Sequence, residues 1–465
     1  YEGGLKLINF FAVHNIDFNK AWKAKQSGWH DQTRAIFANA EIGWKSMIYL
    51  TATGRNDWDS RLAFSDYKSF FYPSIGLSAI LTSMFNAPDW LTYLKVRGSY
   101  TEVGNSYGRF MTTVTYPYDE QTQNWTNTSS YPNTKLKPER TKSWEVGLDA
   151  RILNDISLNL TYYRSNTYNQ TFYADLSLSS GYSNIPIQSG NIMNEGLEMS
   201  LGYNKQWKDF SFNTNYTLTW NKNRVKRLAD GVYNYATGQP IQMPELSPLT
   251  YGHTDARLIL RVGGSMGDVY GQRLLKRDLN GYILNEEGVG LAMENKETYL
   301  GSILPKMNMG WSLGFGYKGV NLGMTFTGRF GGIVISETQS VLDAAGVSKV
   351  SADVRDAGGV QINQSKVSAQ TYYQTIQGTA AYYTYSATNI RLGELSLSYT
   401  LPKKWFDNKV GMTVGLVGKN LWMIYCKAPF DPELTTSAAS NFYQGFDAYM
   451  LPSTRNFGFN VKFQF

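Results

Sequence analysis

The stretch WEVGLDARILNDISLNLTYY (144–163) decides the fold. Trp144, Val146, Leu148, Ala150 and Ile152 fall on one side of an extended chain, and Glu145, Gly147, Asp149 and Arg151 on the other. After Asn154-Asp155 the pattern resumes, with Ile156, Leu158, Leu160 and Tyr162 opposite Ser157, Asn159 and Thr161. Strict period two on both sides of a short polar turn predicts an antiparallel β-hairpin with one apolar and one polar face.

The same pattern recurs outward from this hairpin. Leu197, Met199, Leu201 and Tyr203 alternate with Glu198, Ser200, Gly202 and Asn204. Phe210, Phe212, Tyr216, Leu218 and Trp220 alternate with Ser211, Asn213, Asn215, Thr217 and Thr219. Trp311, Leu313, Phe315 and Tyr317 turn through Lys318-Gly319 into Val320, Leu322, Met324 and Phe326. The last strand puts Phe457, Phe459, Val461, Phe463 and Phe465 on one face. The apolar faces of these strands carry no charge, whereas the opposite faces carry Glu, Asp, Lys and Arg. On a lipid-facing surface a midplane Arg or Lys costs about 2–4 kcal/mol, while a charge facing a wet lumen is solvated.

Composition agrees with a membrane barrel. Aromatic residues make up 15% of the 465, with 33 Tyr, 23 Phe and 12 Trp, yet mean hydropathy is −0.36. No uncharged apolar stretch approaches the roughly 20 residues of a spanning helix; the strongest, residues 75–85, is short and contains Ser and Thr. A soluble β-sandwich also alternates, but Tyr and Trp at strand ends favour a membrane interface. The expected fold is therefore all-β, a transmembrane antiparallel barrel. Roughly fourteen or fifteen strand-like segments are counted in the chain. Short turns at Asn154-Asp155, 207–209, Lys318-Gly319 and 402–408 alternate with long segments at 102–140, 165–195, 222–305, 331–388 and 425–452, as short periplasmic turns alternate with long extracellular loops. No coiled coil, low-complexity tract, internal repeat or domain boundary is visible.

The net charge of +7 comes from scattered residues, and no nucleic-acid motif accompanies it. Cys426 is single, so no internal disulfide forms; it reads as a small residue near a strand end. His14, His30 and His253 are far apart and do not suggest a metal or catalytic site. The opening Tyr1-Glu2-Gly3-Gly4 is not a leader sequence, so this N-terminus is expected to be a processed end or the edge of a fragment.

Several strings, weak singly, follow one another in order: TGRNDWDSRL (53–62), FYPSIGLSAIL (71–81), WLTYLKVRGSYTEVGN (90–105), LKPERTKSWEVGLDARILNDISLNLTYYRSNT (136–167), NEGLEMSLGY (194–203), LGSILPKMNMGWSLGFGYKGVNLGMTFTGRFGG (300–332), NIRLGELSLSYTLP (389–402), GLVGKNLW (415–422), DPE (431–433) and LPSTRNFGFNVKFQF (451–465). Together they resemble the SusC/RagA family of TonB-dependent outer-membrane transporters. The resemblance implies a barrel of about 22 strands around an N-terminal plug. It also implies import of oligosaccharides or peptides energised by the TonB system, and a SusD-like surface lipoprotein as partner. The chain corresponds to the C-terminal portion of such a barrel over 1–465. Neither a plug nor a TonB-contacting segment is visible. The remaining strands are expected from further polypeptide, either a longer chain or the other part of a split transporter, because open edges in lipid leave costly unpaired backbone groups. A passive porin or structural barrel is the alternative function.

Candidate site residues are fewer. Aromatic rings stack on apolar sugar faces, which makes Trp125, Tyr131, Tyr372, Tyr373, Tyr382 and Tyr383 candidates for substrate binding; interface or loop packing is the competing reading. Asp278, Asn280 and Gly281 form a D-x-N-G string, but Tyr282 and Leu284 follow where a calcium loop wants oxygen ligands. An Asn-Gly turn is preferred. Glu286-Glu287 reads as a surface pair. No Ser-His-Asp, paired-carboxylate or phosphate-loop constellation appears, and neither a catalytic role nor a cofactor is expected. Phe459, Val461, Phe463 and Phe465, ending in a terminal aromatic, resemble the signal read by the outer-membrane barrel assembly machinery. A final strand with a free edge offers backbone groups to a partner strand.

Overall fold

The computed structural model describes residues 29–465 except 120–123, 127, 189, 229–238, 240–244, 287–289, 408, 435 and 437–440, together with Lys6, Leu7 and Asn15. The N-terminal tetrapeptide, His14 and Glu287 therefore lie outside the described residues.

Alternation over long stretches builds one antiparallel sheet of thirteen strands, each hydrogen-bonded to its neighbours in chain order. These are β1 (Thr33–Trp44), β2 (Ile48–Asp59), β3 (Phe70–Ile80), β4 (Leu91–Asn105), β5 (Glu139–Ile152), β6 (Ile156–Tyr168), β7 (Asn191–Trp207), β8 (Phe210–Arg227), β9 (Met307–Tyr317), β10 (Val320–Phe330), β11 (Asn389–Thr400), β12 (Gly411–Cys426) and β13 (Asn456–Gln464). Thirteen is fewer than the fourteen or fifteen segments counted in sequence. Short strands such as Thr171–Asp175 and Asp268–Leu275 lie in the loops instead, and period two cannot tell a wall strand from a loop strand. Among the described residues, β1 and β13 each pair on one side only.

The register brings the apolar alternates together. Leu148 faces Val96 and Leu160; Leu160 faces Met199; Met199 faces Leu218; Leu218 faces Met309. The band continues through Phe315–Leu322, Leu322–Leu397, Leu397–Leu416 and Leu416–Phe459. Directly opposed residues share a face, so one continuous apolar surface crosses the sheet. Its rows step down along the strands, as the stagger of a barrel wall requires. Many of its members are exposed, Phe459 to 81% and Leu416 to 65%. Lipid is the medium in which such a face is stable. Aromatic pairs mark its margins: Trp144 with Tyr162 at 5.4 Å near one end, Trp207 with Phe210 at 5.8 Å near the other. No described helix is long and apolar enough to cross a membrane.

Connections alternate by end. One rim carries the tight turns 45–47, 153–155, 208–209 and 318–319 with the short links 81–90 and 401–410. The other carries 60–69, 106–138, 169–190, 228–306, 331–388 and 427–455. The tight turns run through left-handed backbone at Lys45-Ser46, Leu153-Asn154 and Lys318-Gly319, the conformation that joins twisted strands without splaying them.

Candidate functional site

The long loops are folded bodies with cores of their own. Ile192 and Val225 sit on the polar-face side of β7 and β8, opposite each other, and are buried by Phe172, Ile185, Leu246 and Leu260 from the loops. The loops therefore lean over the polar face and leave the apolar face to lipid. Arg329, on the same side of β10, donates to the Ile303 carbonyl at 2.7 Å.

Three loops are stitched into one mass. The Asp255 carboxylate accepts from the backbone N–H groups of Gln272 (3.1 Å), Arg273 (2.7 Å) and Ala380 (2.7 Å). Tyr251 is fully buried and donates to the Phe442 carbonyl at 2.7 Å. Burial raises its phenol well above the ordinary range. Leu258, Val269, Ile303, Ile335 and Phe446 pack around it. The segment 331–388 adds the short helices α1 (Glu337–Ala344), α2 (Lys349–Asp356) and α3 (Ala369–Ile376), capped by Ser336, Ser348 and Ser368 through their hydroxyl oxygens. Between the helices lies a cavity of about 490 Å³ lined by Asp343, Arg355, Ser368, Gln370, Tyr373 and Gln374 among others.

The six candidate aromatics do not form one platform. Trp125 is 70% exposed, in a small hairpin against Tyr118 at 5.1 Å. Tyr131 packs edge-on to Tyr182 at 5.1 Å beside the core that covers β7 and β8. Tyr372, Tyr373, Tyr382 and Tyr383 are gathered in another loop core with Leu275, Leu291, Ile362 and Ile376. Tyr373 and Tyr383 are 7% and 3% exposed, so their faces are occupied by neighbouring side chains and not offered to solvent. Tyr373 and Tyr383 thus pack inside the loop core, as the competing loop-packing reading has it, and Tyr372 and Tyr382 pack partly buried against it. Tyr382 keeps an outward side. It lines a second cavity of about 520 Å³ with Arg277, Glu294 and Lys296, while its hydroxyl accepts from the Leu275 N–H at 3.0 Å.

The strongest polar contacts were not singled out in the sequence, although they lie inside the quoted strings. Arg391 of NIRLGEL grips Asp431 of DPE through two hydrogen bonds, Nη1 to Oδ2 at 2.9 Å and Nη2 to Oδ1 at 2.8 Å, with Glu433 at 3.4 Å. Both side chains of the Arg391–Asp431 pair are buried. Burial alone would raise the Asp431 carboxyl; the Arg391 guanidinium and the Glu433 N–H outweigh it and hold the group below the usual carboxylate range. The pair fastens loop 427–455 to the rim end of β11. In TGRNDWDSRL, Arg55 meets Asp57 at 2.7 Å and Arg61 meets Asp59 at 2.6 Å, so that string pairs its own charges at the loop end of β2. In the same mass, burial and Asp268 push the Tyr299 phenol up to about 12.

The Asp278 string is a turn. Its Oδ1 accepts from the N–H groups of Asn280 (2.9 Å) and Tyr282 (2.8 Å), and Gly281 takes a positive φ. The carboxylate is thus spent on the backbone. Among the described residues no cluster of His, Cys, Asp and Glu could hold a metal ion. Phe459, Val461 and Phe463 lie along β13, which among the described residues pairs on one side only, and Phe465 follows it, 97% exposed.

Comparison with known proteins matches this architecture. Residues 9–421 match the family described as TonB dependent receptor-like, beta-barrel. TonB-dependent receptor P3 of Formosa agariphila is 25% identical over 507 residues, covering 99% of this chain and 49% of the relative. TonB-dependent receptor SusC of Bacteroides thetaiotaomicron is 24% identical over 217 residues, 46% of this chain and 19% of that protein. Among solved structures, the RagAB peptide importer in its open-open state superposes with a TM-score of 0.69 at 20% identity, over 93% of this chain and 46% of that one. The chain spans about half the length of the curated relatives that it matches along most of its own length. With its apolar alternation, its loop-roofed polar wall and this match, the chain belongs to the TonB-dependent receptor β-barrel family.

Proposed function

We propose that this chain forms wall and extracellular loops of an outer-membrane importer for oligosaccharides or peptides, driven by the TonB system and working with a SusD-like surface lipoprotein. The observation that carries the reading is the loop mass. Loops 228–306, 331–388 and 427–455 share cores and buried hydrogen bonds above the polar face, which suits the capture of a large solute better than an unobstructed pore. The RagAB peptide importer, which the chain resembles in fold, supports the peptide side of that substrate class. Disrupting TonB in the host is expected to abolish uptake of the solute; unchanged uptake would reject energised import. Conductance of the intact protein in planar bilayers separates the readings further, since steady current would favour a passive porin.

Within this reading, Trp125, Tyr131, Tyr372 and Tyr382 are proposed to contact substrate, with Trp125 offering the most open ring; Tyr373 and Tyr383 support them from inside the loop core. Trp125→Ala is expected to raise the half-saturating concentration for uptake while leaving barrel abundance unchanged. The terminal strand, ending at Phe465, is proposed as the assembly signal. Deleting Phe465 is then expected to lower outer-membrane abundance sharply while the molecules that arrive stay active; equal abundance would defeat that role.

A further inference from the structure

The lipid-facing side of β5–β8 changes character abruptly at its loop end. Down the strands lie Val146, Tyr162, Leu197 and Trp220, an aromatic and aliphatic row. The next row toward the loops is Trp144, Arg164, Glu195 and Lys222, each opposite its neighbour in the register. One further step up come Lys142, Asn166, Met193 and Arg224, flanked by Glu102 of β4. Arg140 lies above Lys142, opposite Tyr168. Each step is about 7 Å along a strand and each neighbour about 5 Å across. These charges therefore lie within a lipid headgroup's reach of one another.

We propose that this patch binds the phosphate headgroup of an outer-leaflet lipid. Cations exceed anions here. Glu102 is shared between Arg140 and Lys142, each at 3.2 Å, and Glu195 meets Lys222 at 3.8 Å. The side chains of Arg164 and Arg224 make no hydrogen bond or ion pair with a described residue, although Arg164 stands directly opposite Glu195. A guanidinium matches phosphate oxygens with two parallel N–H donors. The depth is right as well. Trp144 and Trp220 sit where interfacial rings settle, and the cations begin at their level and rise above it.

The patch is local. At the loop end of the same face, β9–β12 carry Met307, Phe330, Leu392 and Trp422. The loop cores lean over the opposite face; within the patch Met193 is buried, Arg164 and Arg224 are half-buried, and Lys142 and Lys222 are exposed at the level of the headgroup layer. That placement commits the site to a lipid. It rests on the wall spanning the outer membrane and not on import.

The test is native mass spectrometry of the intact receptor purified in detergent. The probes are diphosphorylated lipid A, the same lipid with its phosphates removed, and inorganic phosphate. Wild type is expected to retain the phosphorylated lipid through delipidation and to release the dephosphorylated one. Arg164→Gln with Arg224→Gln should lower retention at least tenfold. Glu195→Gln, which removes a competing carboxylate, should raise it, an effect that misfolding cannot imitate. Uptake in the variants should match wild type, which keeps this outcome separate from the transport reading. Equal retention by the double variant would overturn the proposal, as would equal retention of the dephosphorylated lipid. Displacement by millimolar inorganic phosphate would mark a free-anion site and overturn the lipid assignment.

Discussion

The wall and the loop mass use the same residue types in opposite senses. In the wall, Leu416, Phe459 and Trp144 point away from the protein, and the polar alternates face inward. In the loops, Tyr251, Leu258, Ile303 and Ile335 turn inward and are fully buried. The wall needs a bilayer to satisfy its apolar face; the loops complete their own cores, with about 1.5–3 kcal/mol gained for each large side chain buried. Two stability regimes therefore meet at the rim, and damage to one should leave the other largely intact.

The sharpest way to break that separation is at the joint. Asp431→Ala leaves Arg391 buried with Glu433 and the Asn389 amide oxygen but without its bidentate partner, and removing one partner of a buried pair costs about 3–5 kcal/mol. Protease sensitivity of 427–455 is expected to rise steeply while the heat-modifiable migration of the barrel stays unchanged. Replacing both partners, as in Arg391→Met with Asp431→Leu, should recover much of the loss. Wall and loops unfolding together in the single variant would show that the regimes are not separate.

In the wall the expected effect is somewhat smaller and strictly sided. Leu160→Arg puts a charge in the middle of the apolar band and should cost about 2–4 kcal/mol in a refolding titration into lipid vesicles. Asn159→Lys, on the polar face beside Asp149, should cost little. Equal costs would mean that the faces are misassigned.

Acid should loosen the joint without touching the apolar band. The Asp431 carboxyl is held below its unfolded value of about 3.9. Its contribution is therefore complete above that pH and lost as pH falls through the lower, folded value. Limited proteolysis should show loop 427–455 opening only below about pH 4, while Asp431→Asn removes the pH dependence. Smallest is the loss of a helix cap: Ser368→Ala frees the Thr371 N–H at the start of α3 and should cost about 0.5–2 kcal/mol. Hydrogen exchange should report it as faster exchange confined to that helix.

The sequence by itself determined the wall. Period two at 144–163 and 307–326 names the strands, the face each residue takes and the tight turns between them, because alternation is a local property of an extended chain. Charge-free alternates named the lipid side, since a charge there is costly whatever the tertiary fold. Only the tertiary structure decided the loops. Tyr251 meets Phe442 across 191 positions and Arg391 meets Asp431 across 40. No local period encodes either contact. Tyr373 and Tyr383 look like Trp125 in sequence, yet they are buried while Trp125 is open, because burial there depends on which distant segments close over them. The placing of Arg164 and Arg224 in adjacent rows of one face likewise follows from strand register, which backbone pairing fixes between segments that are far apart in the chain.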